Sequence, residues 1–172
     1  TPEAPASERR FGRAVHGNLM GIIESAIDPQ SESFQRQRSQ MLALVAGFRD
    51  LEDRVRDTSN ALEARFRERR QLLPRERIAL LLDRGSPWLE LSTLAGYRLH
   101  DDDGEKNVLG GALITGIGIV SGIRCMVIAS DSAIKGGTIT PMGMRKSLRA
   151  EAIALENRLP VVRLVESGGA NL

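Results

Sequence analysis

The feature that most restricts the fold of this chain is a set of four short apolar segments, rich in Val and Ile, in its glycine-rich second half. They are "WLEL" (residues 88–91), "ALITGIGIV" (112–120), "IRCMVIAS" (123–130) and "VVRLV" (161–165). Segments of this length and composition are typical of buried β-strands. The dipeptide Ser121-Gly122, between the second and third segments, predicts a tight hairpin.

A helix is predicted between the third and fourth strands. The stretch "MGMRKSLRAEAIALENRL" (142–159) has apolar residues at helical spacing, and Pro160 follows it. The predicted apolar stripe consists of Met144, Leu148, Ala152, Ile153, Leu155 and Leu159. A strand, a helix and a buried strand form a βαβ unit, which predicts a right-handed crossover between parallel neighbours.

The first half of the chain is predicted to be helical. From Phe34 onward, apolar residues recur at three- and four-residue spacing, which predicts an amphipathic helix. Its apolar stripe consists of Met41, Leu44, Val45, Phe48, Leu51 and Val55. A later helix is predicted in "PRERIALLLDRGS" (74–86), because Pro74 suits the first helical position and Gly85 suits a left-handed stop.

The stretch "NALEARFRERRQLL" (60–73), between these two helices, is rich in arginine. It carries Arg65, Arg67, Arg69 and Arg70 against only two glutamates. We interpret these arginines as a solvated helix face rather than as a phosphate site. The patterns together predict an N-terminal arm (1–33), a helical lead-in (34–73) and an α/β domain (74–172).

The composition gives no reason to expect a nucleic acid or a membrane as a partner. The chain has 24 basic and 22 acidic residues, a formal net charge of +2. No apolar run approaches the roughly 18 residues that a membrane span needs, and no signal peptide is evident. Because the single cysteine, Cys125, cannot form an internal disulfide, a reducing compartment is expected. We therefore expect a soluble intracellular protein.

Three kinds of site are disfavoured by the sequence. His16 and His100 are far apart and have no partner at metal-ligand spacing, so no metal site is expected. The stretch "GIGIVSG" (116–122) lies in a predicted strand and hairpin, whereas a dinucleotide fingerprint leads from a strand into a helix. Ser167 lacks the G-x-S-x-G context of a nucleophile, so a structural role is expected.

Two glycine pairs remain as candidates for backbone chemistry. Gly168 and Gly169 follow the last predicted strand, and Gly136 and Gly137 follow its predicted neighbour, with Lys135 adding a cation. Ligands bind parallel α/β sheets at the carboxyl ends of the strands, where glycine amides can hold an oxyanion. The pattern favours an acyl thioester enolate site beside an anion site. Two ordinary glycine turns fit it equally well.

The chain also resembles a known family. The segments "QLLPRERIALLLDRGSPWLELSTLAGY" and "GGALITGIGIVSGIRCMVIASDSAIKGGTITPMGMRKSLRAEAIALENRLPVVRLVESGGANL" are similar to the N-terminal part of the carboxyltransferase (β) subunit of biotin-dependent acyl-CoA carboxylases. The resemblance is nearly continuous from about Arg65 to Leu172. Within that family, "SAIKGGT" and "SGGANL" resemble the methylcrotonyl-CoA and geranyl-CoA carboxylase branch.

The resemblance implies a crotonase-like α/β fold, in which ββα units stack into a superhelix. The family's complete subunit has two such domains, the first binding acyl-CoA and the second receiving carboxybiotin. Residues 74–172 would then be the opening part of the first domain, truncated at its C-terminal end, and residues 34–73 its helical lead-in. We expect this stretch alone to be inactive.

The resemblance also implies an activity and partners. Carboxybiotin, carried by a separate biotin carboxylase and carrier (α) subunit, releases CO₂, and the biotin anion removes a proton from a β-methyl-branched enoyl-CoA such as geranyl-CoA or 3-methylcrotonyl-CoA. The enolate, held by backbone N–H groups, attacks CO₂. ATP, Mg²⁺ and bicarbonate are used by the partner. A hexamer of β subunits is expected, in the bacterial cytoplasm or the mitochondrial matrix.

Site residues follow from the same resemblance. The oxyanion loop is matched by the backbone of Gly168, Gly169 and Ala170. The expected CoA-binding residues are Lys135, Gly136, Gly137, Lys146 and Arg149. For the last two, a surface role is an equal alternative.

Three other functions stay open at the level of sequence. A propionyl-CoA or acetyl-CoA carboxyltransferase belongs to the same family. Another crotonase-type acyl-CoA enzyme, such as a hydratase, isomerase or decarboxylase, shares the fold. A non-catalytic assembly module would use helices 34–72 to dock a partner subunit.

Overall fold

The computed structural model describes residue 25 and residues 27–100, 102–105 and 109–169. His16, Ala170 and most of the predicted N-terminal arm lie outside these residues. The chain divides into two compact units, Thr1–Ser39 and Gln40–Leu172. Within the described ranges, no helix is long and apolar enough to cross a membrane.

In the first unit, a turn leads into a capped helix. Helix α1 spans Glu32–Asn60, so it begins two residues before the predicted start at Phe34. Ser31 caps it, because the hydroxyl of Ser31 accepts a hydrogen bond from the Phe34 amide at 3.3 Å. The Ser31 amide itself donates to the carbonyl of Asp28. Local side-chain chemistry therefore fixes where α1 starts.

In the second unit, the apolar stripe of α1 is buried only near the end of the helix. Val55 is 5% exposed, whereas Met41, Leu44 and Phe48 are 60%, 70% and 51% exposed. Val55 packs so closely on Gly110 that a Cβ at this glycine would lie 2.8 Å from a Val55 methyl carbon. The predicted helix is confirmed, but its apolar stripe is buried only near the C-terminal end.

The second unit contains a four-stranded sheet in the order β1-β2-β3-β4. The strands are β1 (Leu89–Leu91), β2 (Leu113–Val120), β3 (Ile123–Ser130) and β4 (Val161–Leu164). The first three are antiparallel neighbours, and β4 lies parallel to β3. All four predicted strands and the parallel pairing are therefore confirmed.

Two helices cover the two faces of this sheet. Helix α3 (Pro74–Leu81) packs on the face that carries Ile114 and Val127, and α4 (Pro141–Glu156) packs on the face that carries Met126 and Ile128. Successive residues of β3 point to opposite faces, so one apolar strand serves both layers. The shorter helix α2 (Glu63–Glu68) lies before α3.

The apolar stripe predicted for α4 was right for Ile153 and Leu159, which pack against the core of the sheet, and wrong for three other residues. Met144, Leu148 and Leu155 are 47%, 57% and 82% exposed. The face that contacts the sheet also carries Ala150 and Ala154, both buried against β3. These methyl groups let the helix approach the strand closely, so packing selected small residues where the prediction followed large ones.

The glycines of "GIGIV" serve packing, as expected. Gly116 and Gly118 lie in β2 and face Trp88 and Leu82. A Cβ at Gly116 would lie 2.4 Å from the Trp88 ring, and one at Gly118 would lie 2.4 Å from a Leu82 methyl carbon. Two apolar side chains thus lie directly on the strand backbone.

A carboxylate after α3 holds the predicted hairpin. Ser121 and Gly122 have φ values of 51° and 78°, and both of their amides donate to the carboxylate of Asp83 at 2.7 Å. The Asp83 amide in turn donates to the carbonyl of Ile119. This connection draws the chain away from helical geometry after Leu81, so α3 ends four residues before Gly85, the predicted stop.

Lys146 is buried at the junction between α4 and β2. Its ammonium donates hydrogen bonds to the carbonyl oxygens of Gly110 and Leu113. Burial lowers the pKa of Lys146 to about 8 from 10.5, against the opposing effect of Glu90. Burial also raises the pKa of Asp131, whose carboxylate accepts a hydrogen bond from Ser59 at 3.0 Å. The bonds of Lys146 tie the loop before β2 to α4, and the bond between Ser59 and Asp131 ties α1 to the loop after β3.

The variant Lys146→Met should remove a pH dependence of stability. Since the pKa of Lys146 is lowered in the folded protein, the unfolded chain holds more protons between pH 8 and 10.5. The wild-type free energy of unfolding should therefore gain up to about 3 kcal/mol from this group as the pH rises through that window. Urea-induced unfolding of both proteins across this range measures the difference.

The matched control is Arg149→Met, which removes an exposed cation from the same helix, and arginine keeps its charge throughout this pH range. The stability difference between wild type and Lys146→Met should grow with pH, and the difference for the control should stay nearly constant. A wild-type and Lys146→Met pair whose difference does not change between pH 8 and 10.5 would contradict the buried ammonium.

Candidate functional site

The two predicted glycine pairs meet at one edge of the sheet. Because β3 and β4 are parallel, the loops that follow them leave from the same edge. The Gly168 amide donates to the carbonyl of Gly136 at 3.0 Å, and the Ile139 amide donates to the carbonyl of Gly169 at 2.9 Å. We call this pair of loops, residues 135–139 and 166–169, the glycine junction.

Gly137 is required at the junction by close contact. Its φ is 72°, and a Cβ there would lie 2.1 Å from the carbonyl oxygen of Glu166. No side chain fits at that distance, so any larger residue would push the two loops apart. Gly136, with a φ of 64°, has open space beside it and needs glycine for its backbone angle alone.

The amides of the second glycine pair already have acceptors. The Gly168 amide is used in the junction. The Gly169 amide donates to the hydroxyl of Ser167 at 3.1 Å, and that hydroxyl lies 3.3 Å from the Gly169 carbonyl. A hydroxyl can rotate away, whereas the Gly136 carbonyl is fixed in the loop. The Gly169 amide is therefore the more available donor of the two, and Ala170 lies outside the described residues.

The carboxylate of Glu166 links the glycine junction to α3. Glu166 accepts hydrogen bonds from Arg77 of α3 at 2.6 Å and from the hydroxyl of Ser132 at 2.9 Å. Ser132 lies just after β3, and Glu166 lies just after β4. One carboxylate thus connects α3 with both loops.

A cationic cleft borders the junction. Phe66 of α2 is buried in a cluster with Ala133, and this anchor places α2 beside the loop after β3. The cleft has a volume of about 480 Å³. Its cationic lining residues are Arg65, Arg69 and Lys135, and its loop residues include Gly136, Ser167 and Gly168.

The sequence-based interpretation of the arginines in and after α2 as a solvated face agrees with the structure, because Arg65, Arg67, Arg69 and Arg70 are all exposed. Arg67 pairs with Glu63 and Glu76 at the surface. Arg65 of α2 and Arg69, the residue that directly follows α2, line the cleft. The buried Phe66 was the available signal, because a helix with an apolar anchor must place neighbouring residues beside whatever it packs on.

A second cleft shares Ser167 with the cationic one. It has a volume of about 290 Å³ and lies between α4 and the ends of β3 and β4. Its lining is mainly apolar and includes Leu113, Ile128, Ile139, Met144, Leu164 and Val165. A cationic cleft and an apolar cleft thus adjoin the same short loop.

Two predicted CoA-binding residues lie away from these clefts. Lys146 is 5% exposed and bonded to backbone carbonyls, so its ammonium is directed into the protein. Arg149 is exposed on α4 and lines neither cleft. Among the residues that the structure describes, no three His, Cys, Asp or Glu side chains are grouped to hold a metal ion.

Comparison with known proteins shows which family this sequence matches. The carboxyl transferase domain family matches residues 65–172. A probable methylcrotonoyl-CoA carboxylase beta chain of Drosophila melanogaster is 44% identical over 162 residues, covering 93% of this chain and 27% of that protein. The methylcrotonoyl-CoA carboxylase beta chain of Arabidopsis thaliana is 40% identical over 173 residues, covering 100% of this chain and 29% of that protein.

A solved structure agrees with these relatives. The beta subunit of P. aeruginosa geranyl-CoA carboxylase superposes with a TM-score of 0.79 at 57% identity, covering 87% of this chain and 28% of that one. The present chain therefore spans less than a third of the length of its relatives. The predicted crotonase-like α/β fold and the resemblance to the methylcrotonyl-CoA and geranyl-CoA carboxylase branch are confirmed. On this evidence the chain belongs to the carboxyl transferase domain family.

Proposed function

We propose that the full-length protein carrying this chain is the carboxyltransferase subunit of a biotin-dependent acyl-CoA carboxylase, and that the glycine junction receives the acyl thioester. The observation that carries the proposal is the meeting of two glycine loops at the carboxyl ends of parallel strands, beside a cationic cleft. This is where parallel α/β sheets bind ligands.

The cationic cleft suits the phosphates of coenzyme A. Arg65, Arg69 and Lys135 present three positive charges around one opening. Guanidinium groups bind phosphate oxygens with two parallel hydrogen bonds, and a lysine ammonium adds a point charge. Of the predicted CoA-binding residues we retain Lys135, Gly136 and Gly137. We replace Lys146 and Arg149 with Arg65 and Arg69.

The apolar cleft suits the acyl chain. A ligand with an anionic head and an apolar tail would place its polar link at Ser167, the residue that both clefts share. Burial of the apolar tail would stabilise the complex by about 25 cal/mol for each Å² removed from water. The thioester would then lie beside the glycine junction.

The backbone at the junction would stabilise the enolate. When a proton leaves the γ-carbon of a β-methyl enoyl-CoA, negative charge moves to the thioester oxygen. The Gly169 amide can donate a hydrogen bond to that oxygen once the Ser167 hydroxyl rotates away. The new carbon–carbon bond forms to a carboxyl carbon that carboxybiotin supplies. We assign no described residue to biotin.

The relatives suggest the substrates and partners. Two are methylcrotonoyl-CoA carboxylase beta chains, and one is a geranyl-CoA carboxylase beta subunit. We propose a β-methyl-branched enoyl-CoA as substrate and a biotin-carrying α subunit as partner. ATP, Mg²⁺ and bicarbonate would be used by that partner. A hexamer of β subunits and a cytoplasmic or mitochondrial location belong to the same proposal.

Bicarbonate incorporation tests the activity and the substrate together. The full-length protein, combined with its biotin-carrying partner and ATP, should carboxylate methylcrotonyl-CoA or geranyl-CoA with a higher kcat/KM than propionyl-CoA or acetyl-CoA. Preference for the shorter substrates would assign it to the other carboxylase branch. Turnover without ATP, bicarbonate or the biotin protein would instead indicate a hydratase, isomerase or decarboxylase. Partner binding without acyl-CoA affinity would indicate an assembly module.

The variant Gly169→Val should lower kcat by about 100-fold or more in the full-length protein. Gly169 has a φ of 113° and no atom within 4 Å of the position that a Cβ would take, so the loss would come from backbone strain and from a side chain in the path of the substrate. Gly122→Val is the matched control, because Gly122 has a φ of 78° and equally open space at the hairpin. Near-normal turnover by folded Gly169→Val protein would exclude the oxyanion role.

Replacement of the cleft arginines should weaken CoA binding. Arg65→Gln and Arg69→Gln should each raise the KM for acyl-CoA by about tenfold at low salt, with a smaller change in kcat, because a charged hydrogen bond to a phosphate is lost. Arg67→Gln is the control on the same helix, since Arg67 pairs with Glu63 and Glu76. Equal effects of all three variants would argue against phosphate recognition by the cleft.

A further inference from the structure

The side chain of Glu166 has an unusual position for a residue in a cationic cleft. It lines the cleft with Arg65, Arg69 and Lys135. One of its carboxylate oxygens nevertheless accepts hydrogen bonds from Arg77 at 2.6 Å and from Ser132 at 2.9 Å. The negative charge is thus directed toward α3 and the loop after β3.

The backbone of the same residue packs into the glycine junction. The Glu166 carbonyl oxygen lies against Gly137, where a Cβ would be only 2.1 Å away. Two residues later, the Gly168 amide bonds to Gly136. A shift of Glu166 would therefore move both glycine loops together, because the two loops are already in close contact at Gly137.

Glu166 connects segments that are far apart in sequence. Arg77 is 89 residues and Ser132 is 34 residues away along the chain. Helix α3 is itself fixed on the sheet through Ile78, which packs with Ile114 and Val127. The Glu166 carboxylate thus holds the glycine junction in a fixed position relative to the packed core of the unit.

We propose that Glu166 is a positioning residue, and this inference rests on the proposed function. The hydrogen bonds of Glu166 to Arg77 and Ser132 set the spacing of the two glycine loops. They thereby direct the Gly169 amide toward the thioester oxygen. It acts through the backbone and does not exchange a proton with the substrate. Site groups must be held within about 0.5 Å of their productive positions, and a misplacement of about 1 Å can cost 100-fold in rate.

Three variants separate the parts of this role. Glu166→Ala removes the charge and both hydrogen bonds. Glu166→Gln keeps one acceptor oxygen without the charge. Ser132→Ala removes a single donor and leaves the ion pair with Arg77, so it is the mildest change and remains informative if Glu166→Ala does not fold. Asp53→Asn is the control, because Asp53 forms an exposed ion pair with Arg56.

Kinetics in the full-length protein with its biotin-carrying partner give the first readout. For Glu166→Ala we expect kcat to fall by about 10- to 100-fold, while the KM for acyl-CoA changes by less than about threefold, because Arg65 and Arg69 are untouched. Glu166→Gln and Ser132→Ala should fall between this variant and wild type. A folded Glu166→Ala protein with kcat within about twofold of wild type would overturn the inference.

Hydrogen exchange gives a second readout that does not depend on turnover. The amides of Gly168 and Ile139, which join the two loops, should exchange faster in Glu166→Ala and Ser132→Ala and at the wild-type rate in Asp53→Asn. Unchanged exchange in both junction variants would overturn the inference even if activity fell. If wild type carboxylates no acyl-CoA, the proposed function fails, and exchange still decides whether Glu166 sets the junction.

Discussion

The parallel pairing of β3 with β4 is the interaction on which the rest of the site depends. The pairing runs in register from Met126 opposite Val161 to Ala129 opposite Leu164. A slip of one residue would turn the partly buried side chains of β4, Val162 and Leu164, to the wrong face and move its following loop by about 3.3 Å. That shift is larger than the 3.0 and 2.9 Å hydrogen bonds that join the two loops of the glycine junction, so the strand register determines the site geometry.

In the proposed function the chemistry of the site is carried by the main chain, with charged side chains at its border. Gly137 can lie against Glu166 only because it has no side chain. The Gly169 amide can bind a ligand only when it is not hydrogen-bonded to the Ser167 hydroxyl. Such a site positions a substrate and offers dipoles to a developing charge. It suits a reaction in which the acid or base belongs to another participant, as proposed for carboxyl transfer.

The sequence predicted what local patterns determine and missed what packing determines. Strands, the hairpin at Ser121 and the parallel crossover follow from β-branched runs and turn residues. The buried face of α4 followed only in part, because Ala150 and Ala154 signal close approach only when the opposing strand is known. Arg65 lines the same cleft as Lys135 only because α2 docks through a buried Phe66, a contact between segments that are far apart in the sequence.

The direction of the Glu166 carboxylate resolves an electrostatic conflict at the site. An unpaired carboxylate beside the junction would repel both the phosphates of a ligand and an oxyanion on its thioester, by about 1 kcal/mol at 4 Å even in bulk water and by more in a partly buried site. Pairing with Arg77 neutralises this charge where it is needed to hold the loops. Under the proposed function, the cations of the cleft would then attract the ligand, so that positioning and anion binding could coexist because α3 supplies the counter-ion.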